Sequence, residues 1–414
     1  MSPQPARLVL SCSMASSLLW LAACNSDDNS PPDFTPYAYE YGLVTGDFNN
    51  DGVVDVLSAS TLYRPHSPYY DGTLHVHLHD GDATAGFATA VDYSAGDEPL
   101  YLASADLNGD GLPDVVSASY VDGDIKVFLN QSSAPGTFAT PVSLPSSGAS
   151  QVVIADLNGD GLPDIVSADF NVSLFIQDAS NPGTFLAPLG LSSGGANWVA
   201  VGDLNHDGMP DIVVVDGSGV KVFFHTGAAS STTYSAATTV FTQSVNFNLP
   251  GASLVAIGDV NADGYEDLVI TDPGPTGGAS PSVNVLLQDS STPGTFAAPV
   301  SYPIAVQNRA YSIVLTDLNA DGRPDIAIGE SSVVSVLLQS SSTLGSYLPV
   351  TSYATPVGAF QIGVADVNGD GAVDIVTTNS TDQPLSGGQY TTRSGVLLQN
   401  AASAGSFNAL ADLP

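Results

Sequence analysis

Seven nonapeptides of the form D-x-N-x-D-G-x-x-D hold the residues best suited to chemistry in this chain. They place Asp47, Asn49, Asp51 and Asp55 in the first copy, Asp106, Asn108, Asp110 and Asp114 in the second, and Asp156, Asn158, Asp160 and Asp164 in the third. The remaining four carry Asp203, Asn205, Asp207 and Asp211; Asp259, Asn261, Asp263 and Asp267; Asp317, Asn319, Asp321 and Asp325; and Asp366, Asn368, Asp370 and Asp374. Hard cations such as Ca²⁺ take six to eight oxygen ligands. Alternate residues of a tight loop point inward, so positions one, three and five can converge on one ion. The Gly at position six permits a sharp turn with positive φ. The carbonyl of position seven adds an oxygen, and the Asp at position nine closes the cage. No thiol or imidazole is fixed in the motif, which argues against Zn²⁺ and Cu²⁺. The expectation is up to seven Ca²⁺, one per repeat.

The residues after each loop exclude the helical calcium motifs. An EF-hand needs Glu at position twelve and flanking helices. Position twelve here reads Ser58, Ser117, Ser167, Val214, Ile270, Ile328 and Thr377. The ninth position opens β runs instead, such as Asp164-Ile165-Val166-Ser167-Ala168. The loop therefore joins two strands.

Composition narrows the rest. The net charge is −35 with 7 basic residues, and the fixed positions of the seven motifs hold 21 Asp, half of the 42 acidic residues. Nucleic acid is excluded as a partner, because phosphate binding needs a basic footprint. Gly (41) and Pro (28) are abundant while hydrophobic residues still make up 43%, a strand-and-turn composition with a core.

The N-terminus reads as an export signal over residues 1–23, with Arg7 as the one charge before the apolar stretch Leu8 to Ala23. It ends Leu21-Ala22-Ala23-Cys24, which resembles the bacterial lipoprotein lipobox. That resemblance implies cleavage before Cys24, lipidation of Cys24 and a flexible tether over 24–36. Asn25 is not the Asp of the inner-membrane retention signal, so the expected location is the outer membrane of a bacterial envelope, on its periplasmic or surface side. Attachment would be by the N-terminal lipid only. Cys12 lies inside the signal, so the mature chain has no disulfide.

Residues 37–414 are repeats. Motif starts are spaced by 59, 50, 47, 56, 58 and 49 residues, a period that suits four-stranded propeller blades. Each unit has a short apolar strand entering the loop, a second strand leaving it, and a third such as Val334 to Leu338. A turn like Pro293-Gly294-Thr295-Phe296 then leads to a fourth, outer strand, where Pro299 fits an edge. The seven loops and the Gly-Thr-Phe turns closely resemble the FG-GAP/VCBS repeat family, which includes the integrin α-subunit propeller. The resemblance implies an all-β, seven-bladed β-propeller of four-stranded antiparallel blades, with calcium loops between strands one and two. Blades are expected at about 42–95, 101–147, 151–193, 197–249, 253–305, 311–357 and 361–412. Position three is Asn in every copy where the family often has Asp, which points to modest calcium affinity. Ring closure is expected by direct packing of blade 7 on blade 1, or by a strand from 33–41 laid across the seam.

Loops between strands two and three leave the face opposite the metal loops. In blades 1 and 7 these loops carry Tyr63, Arg64, His66, Tyr69, Tyr70, Tyr390 and Arg393. With Trp198, Tyr101, Arg309 and Tyr311 near the central opening, they form a candidate ligand patch, since Tyr, Trp and Arg dominate recognition surfaces. His75, His77 and His79 alternate along one strand, a spacing at which two imidazoles can hold a transition metal. No catalytic nucleophile motif or phosphate loop is present. The expected function is a lipid-anchored, calcium-binding module that binds an extracellular or envelope protein or a glycan in adhesion, and is not an enzyme. The alternatives are a calcium-dependent polysaccharide lyase or hydrolase, and a scaffold subunit of an envelope complex.

Overall fold

The computed structural model describes residues 37–63, 70–79, 86–191, 193–226, 240–249, 251–273, 281–304, 309–355, 359–378, 394–400, 403–409 and 411–412. Every regular element among them is a strand. The strands form seven four-stranded antiparallel sheets, each built from consecutive segments of chain. These are the blades, numbered 1 to 7 in chain order. The inner strands are Tyr37–Gly46, Pro99–Ala105, Gln151–Ala155, Trp198–Gly202, Leu254–Gly258, Ala310–Thr316 and Ile362–Ala365. Each packs on the inner strand of the next blade, and the seventh packs on the first, so the sheets make a closed seven-bladed β-propeller.

The residue pattern explains the layering. Second strands are buried along most of their length, as in Asp164–Ala168 and Asp211–Asp216. Both faces of such a strand meet a neighbouring blade, so continuous apolar runs replace alternation. Outer strands have one wet side and read mostly exposed, as in Val142–Pro145 and Val300–Pro303. Both end on Pro, where an edge needs no further donor. The core lies between blades. Val44, Phe48, Leu57, Leu74, Leu102, Val115, Phe128 and Phe138 fill the junction of blades 1 and 2. Position two of every metal-type loop points into such a junction. Phe48, Leu107, Leu157, Leu204, Val260, Leu318 and Val367 are all at most 1% exposed.

The seam closes by direct packing. Tyr37–Gly46 pairs with Asp55–Tyr63 of its own blade, with a bulge at Glu40/Gly42, and serves as the inner strand of blade 1. Blade 7 takes its outer strand, Ala411–Asp412, from its own end. Leu43 and Val56 of blade 1 pack on Val367, Val376 and Val396 of blade 7. Gln361 then ties the seam with side-chain hydrogen bonds. Its Oε1 accepts the N–H of Leu43 at 2.9 Å and of Leu102 at 3.1 Å. Its Nε2 donates to the Leu102 carbonyl at 2.9 Å.

Candidate functional site

Each of the seven loops folds on itself through its own acidic side chains. The N–H of position five donates to the first Asp at 3.0–3.1 Å and to the Asn at 2.9 Å. The side-chain oxygens of positions one and three therefore meet at one nitrogen. The other oxygen of the first Asp accepts the N–H of the position-six Gly at 2.7–2.8 Å. That turn holds φ at 81–89°, a region that suits Gly. Position four is also left-handed in every loop, although it is Asn50, His206, Ala262, Ala320 or one of three glycines. His206 is thus a turn residue. No period or composition signal marks that position.

The ninth Asp has a different environment from the other three. It is 0% exposed in all seven blades. One oxygen accepts the N–H of position two at 2.8–3.2 Å. The other accepts, at 2.6–2.7 Å, the N–H of a residue at the end of strand three or two positions past it: His79, Asn130, Gln177, His225, Gln288, Gln339 or Gln399. This Asp joins the loop to its own sheet. Among the described residues no three His, Cys, Asp or Glu side chains gather as a metal cluster. At its exposed end each loop brings together a set of hard oxygens, from the Asp at positions one and five and the Asn at position three. That donor set suits a hard divalent cation and offers a softer metal no ligand. In blade 6 a guanidinium shares it: Arg323 Nη1 lies 3.0 Å from Asp321 Oδ2.

The double hydrogen bond of the ninth Asp carries a prediction. In Asp267→Asn the amide nitrogen must face either the Val260 or the Gln288 N–H, leaving a buried donor unpaired. The cost should be about 2–3 kcal/mol and should persist in excess chelator. Equal midpoints of wild type and variant in chelator would contradict this role.

Burial also moves buried carboxyls. It pushes Asp267 up to about 6 against its backbone hydrogen bonds, and Glu98 and Glu330 up to about 7. A carboxyl whose folded pKa is raised contributes stability that is present below its unfolded value of about 4 and lost as pH rises through the folded one. The metal-free propeller should therefore melt higher at about pH 5 than at about pH 8. The reverse order in a melt with chelator would refute this.

The loops also touch the next blade. The residues after strand three include amides that reach backward. Asn130 Nδ2 donates to the Phe48 carbonyl of blade 1, and Gln339 Nε2 to the Val260 carbonyl of blade 5, at 2.8 and 2.9 Å. Gln399 Nε2 reaches the Leu318 carbonyl of blade 6 at 2.5 Å. The Gly of each Gly-Thr-Phe-type turn presses on the third-position Asn of the preceding blade. A Cβ at Gly183 would sit 3.2 Å from Asn108 Cβ, at Gly345 3.2 Å from Asn261 Cβ, and at Gly405 3.0 Å from Asn319 Cβ. Gly136 and Gly294 repeat the contact on Asn49 and Asn205. No metal-ligand or catalytic pattern singles out these amides in the sequence. Their recurrence at a fixed offset from the Gly-Thr-Phe turn is the one signal that could have found them.

Six consecutive segments match the FG-GAP-like repeat: residues 47–117, 106–167, 156–214, 203–270, 259–328 and 317–377. The chain belongs to the FG-GAP-like repeat family. Each segment starts at one loop and ends in the second strand of the next blade, so a repeat unit spans a junction. A stretch of 106 residues of this FG-GAP-like protein is 30% identical to human integrin alpha-7 and 28% identical to the mouse protein. It covers 25% of this chain and 9% of those relatives. A crystal structure of a protein from Lactobacillus plantarum superposes with a TM-score of 0.51 at 11% identity, over 91% of this chain and 96% of that one. It supports the fold alone.

Tyr63, Tyr70 and Trp198 of the expected ligand patch fall among the described residues, and the structure gives Trp198 a packing role. Trp198 is 7% exposed, donates through Nε1 to the Val255 carbonyl at 3.0 Å, and meets Tyr101 edge-on at 5.3 Å. It is a strut between blades 2, 4 and 5, buried because inner-strand entries converge at the ring centre. Tyr311 packs on Phe360, and Phe360 on Tyr41, at 4.7 and 5.0 Å. Arg309 is exposed. Tyr63 and Tyr70 are paired across strands two and three of blade 1. Arg64, His66, Tyr69, Tyr390 and Arg393 lie outside the described residues, as does Cys24.

The rings of His75 and His77 lie 6.4 Å apart, and His79 packs elsewhere. His79 stands at the junction against Phe87 at 5.1 Å. His75 Nε2 lies 2.7 Å from Ser60 Oγ, and its Nδ1 lies 2.8 Å from Asp92 Oδ1, leaving neither nitrogen for a metal shared with His77. The atoms match a hydroxyl–imidazole–carboxylate relay, but burial runs the wrong way. Ser60 is 7% exposed and Asp92 is the outermost member, with a side chain 61% exposed. A hydrolase needs the hydroxyl outward and the carboxylate sheltered. This relay staples strands two, three and four of blade 1.

Proposed function

We propose that this FG-GAP-like propeller is a calcium-binding, lipid-anchored module of the bacterial cell envelope that binds a protein or glycan in adhesion. The observation that supports it is the repetition of one hard-oxygen loop, with the same hydrogen bonds, in all seven blades. Asp at positions one and five and Asn at position three would hold the ion, and the ninth Asp would brace the loop. Bound calcium supplies positive charge that offsets the mutual repulsion of the loop carboxylates. The N-terminal lipobox-like stretch supports anchoring, and the integrin-like repeats support recognition rather than catalysis.

Recognition belongs on the face opposite the metal loops. Phe170 is 74% exposed there, on the turn between strands two and three of blade 3, and Val121 is 42% exposed on the same turn of blade 2. An exposed aromatic ring offers apolar area on which a sugar ring or a partner side chain can stack. The test incubates residues 25–414 with a panel of polysaccharides in calcium and scores retention and released oligosaccharide separately. Saturable retention without release, weakened in Phe170→Ala, supports a lectin-like module. Released product would overturn the binding reading in favour of an enzyme. Neither signal from a protein that folds with calcium would sink the glycan branch and leave a protein partner.

A further inference from the structure

We propose that calcium loops one, two, four, five and six are each shaped from outside by the following blade, so that Gly345 and Gln339 of blade 6 are positioning residues for the loop of blade 5. This rests on the calcium reading above. It extends the site beyond the nonapeptide, and makes a loop incomplete without its neighbour.

Loop five shows the arrangement. Its donor Asn261 holds two hydrogen bonds inside the loop: Oδ1 accepts the Asp263 N–H at 2.9 Å, and Nδ2 donates to Asp263 Oδ2 at 3.1 Å. Both bonds lie at the tip of that side chain. Its base is restrained from blade 6 by Gly345, with space for the missing Cβ only 3.2 Å from Asn261 Cβ and 3.2 Å from a Leu287 methyl. The Gly345 φ of 71° already favours Gly. A methyl there must push Asn261 aside or lift the turn. The backbone before Asn261 is held from the same blade, since the Val260 carbonyl accepts the Gln339 Nε2–H at 2.9 Å. The same Nε2 donates to the Pro324 carbonyl of loop six at 3.0 Å, so one amide spans two consecutive loops. Partners of this outer kind, which orient ligands without touching the ion, are worth about 10–100-fold in metal affinity.

The test uses Tb³⁺ as the probe of the full mature chain. Tyr265 occupies position seven of loop five and provides a local antenna for tyrosine-sensitised Tb³⁺ emission, but its ring also lies 4.7 Å from that of His206 in loop four. The titrations therefore use an Asp207→Ala background that removes a donor of loop four, and the emission that disappears there in Tyr265→Phe reports loop five. Gly345→Ala should move the Tyr265-dependent midpoint up by about tenfold or more. Gly294→Ala alters the equivalent turn of blade 5 itself, at a φ of 84°, and faces Asn205 of loop four. It should leave the loop-five midpoint in place. A purely structural role for the turn would lower the melting temperature in both variants and leave that midpoint alone. An unchanged midpoint in Gly345→Ala, or equal shifts in the two variants, overturns the proposal. If Gly345→Ala does not fold, Gln339→Leu reads the same loop, and an unmoved midpoint there overturns it equally. A wild-type chain without saturable Tyr265-dependent emission would instead bring down the calcium reading, and this inference with it.

Discussion

Excess chelator should lower the stability of this propeller by about 10 kcal/mol relative to millimolar calcium. Sites in the weak extracellular class dissociate at about 10⁻⁴–10⁻³ M. With a constant near 0.5 mM and about 5 mM ion, each site contributes roughly 1.4 kcal/mol by mass action, and seven contribute about sevenfold that. The acidic ends of the loops explain why the effect is large. Positions one and five are carboxylates held by short backbone hydrogen bonds in every loop, and among the described residues only Arg323 places a cation beside one. The chain as a whole carries −35. Without metal these groups repel at neutral pH. Differential scanning calorimetry in calcium and in chelator measures the difference. Coincident transitions in the two buffers would refute calcium binding at functional affinity. Loop six should fill last, because the Arg323 guanidinium already neutralises Asp321.

Gln361→Leu should cost about 3–5 kcal/mol, nearly all of it at the ring seam. The side chain is 5% exposed and serves three buried backbone groups, the N–H of Leu43 and both the N–H and carbonyl of Leu102. Leucine fills a similar volume but leaves all three unpaired, at about 1–3 kcal/mol each before relaxation. These bonds join blade 7 to blades 1 and 2, where no described strand is shared across the seam. Gln151→Leu is the matched control. Gln151 makes the same kind of pair to the N–H and carbonyl of Val199, between consecutive blades 3 and 4. Both variants should lose stability in denaturant, but only Gln361→Leu should speed proteolysis of the first and last blades. A Gln361→Leu midpoint equal to wild type would remove the seam role.

The loops and the blade grammar are legible in the sequence because their interactions are local. Position one reaches positions five and six, and the ninth Asp reaches back seven residues to position two. Such contacts require fixed spacing, so a nine-residue pattern written seven times is visible without coordinates. Apolar runs after each loop likewise announce second strands, and Gly-Thr-Phe announces the turn. The bracing duty of the ninth Asp is hidden for the opposite reason. Its second partner is the strand-three terminus, 13 to 25 residues on and at no fixed distance.

Trp198 shows the other limit. An aromatic at a strand entry reads equally as a recognition residue or a strut, and only the meeting with Tyr101, from a blade two places away, decides it. His75 reads as a metal ligand until Asp92 and Ser60 arrive from the adjoining strands. The amino-acid sequence alone determined the repeat number, the strand type, the loop chemistry and the fold class, since each depends on residues a few positions apart. Tertiary structure alone decided how the ring closes, which aromatics are buried and which blade braces which loop. Those contacts join residues up to 318 apart, and no local spacing encodes which of seven similar blades lies beside another.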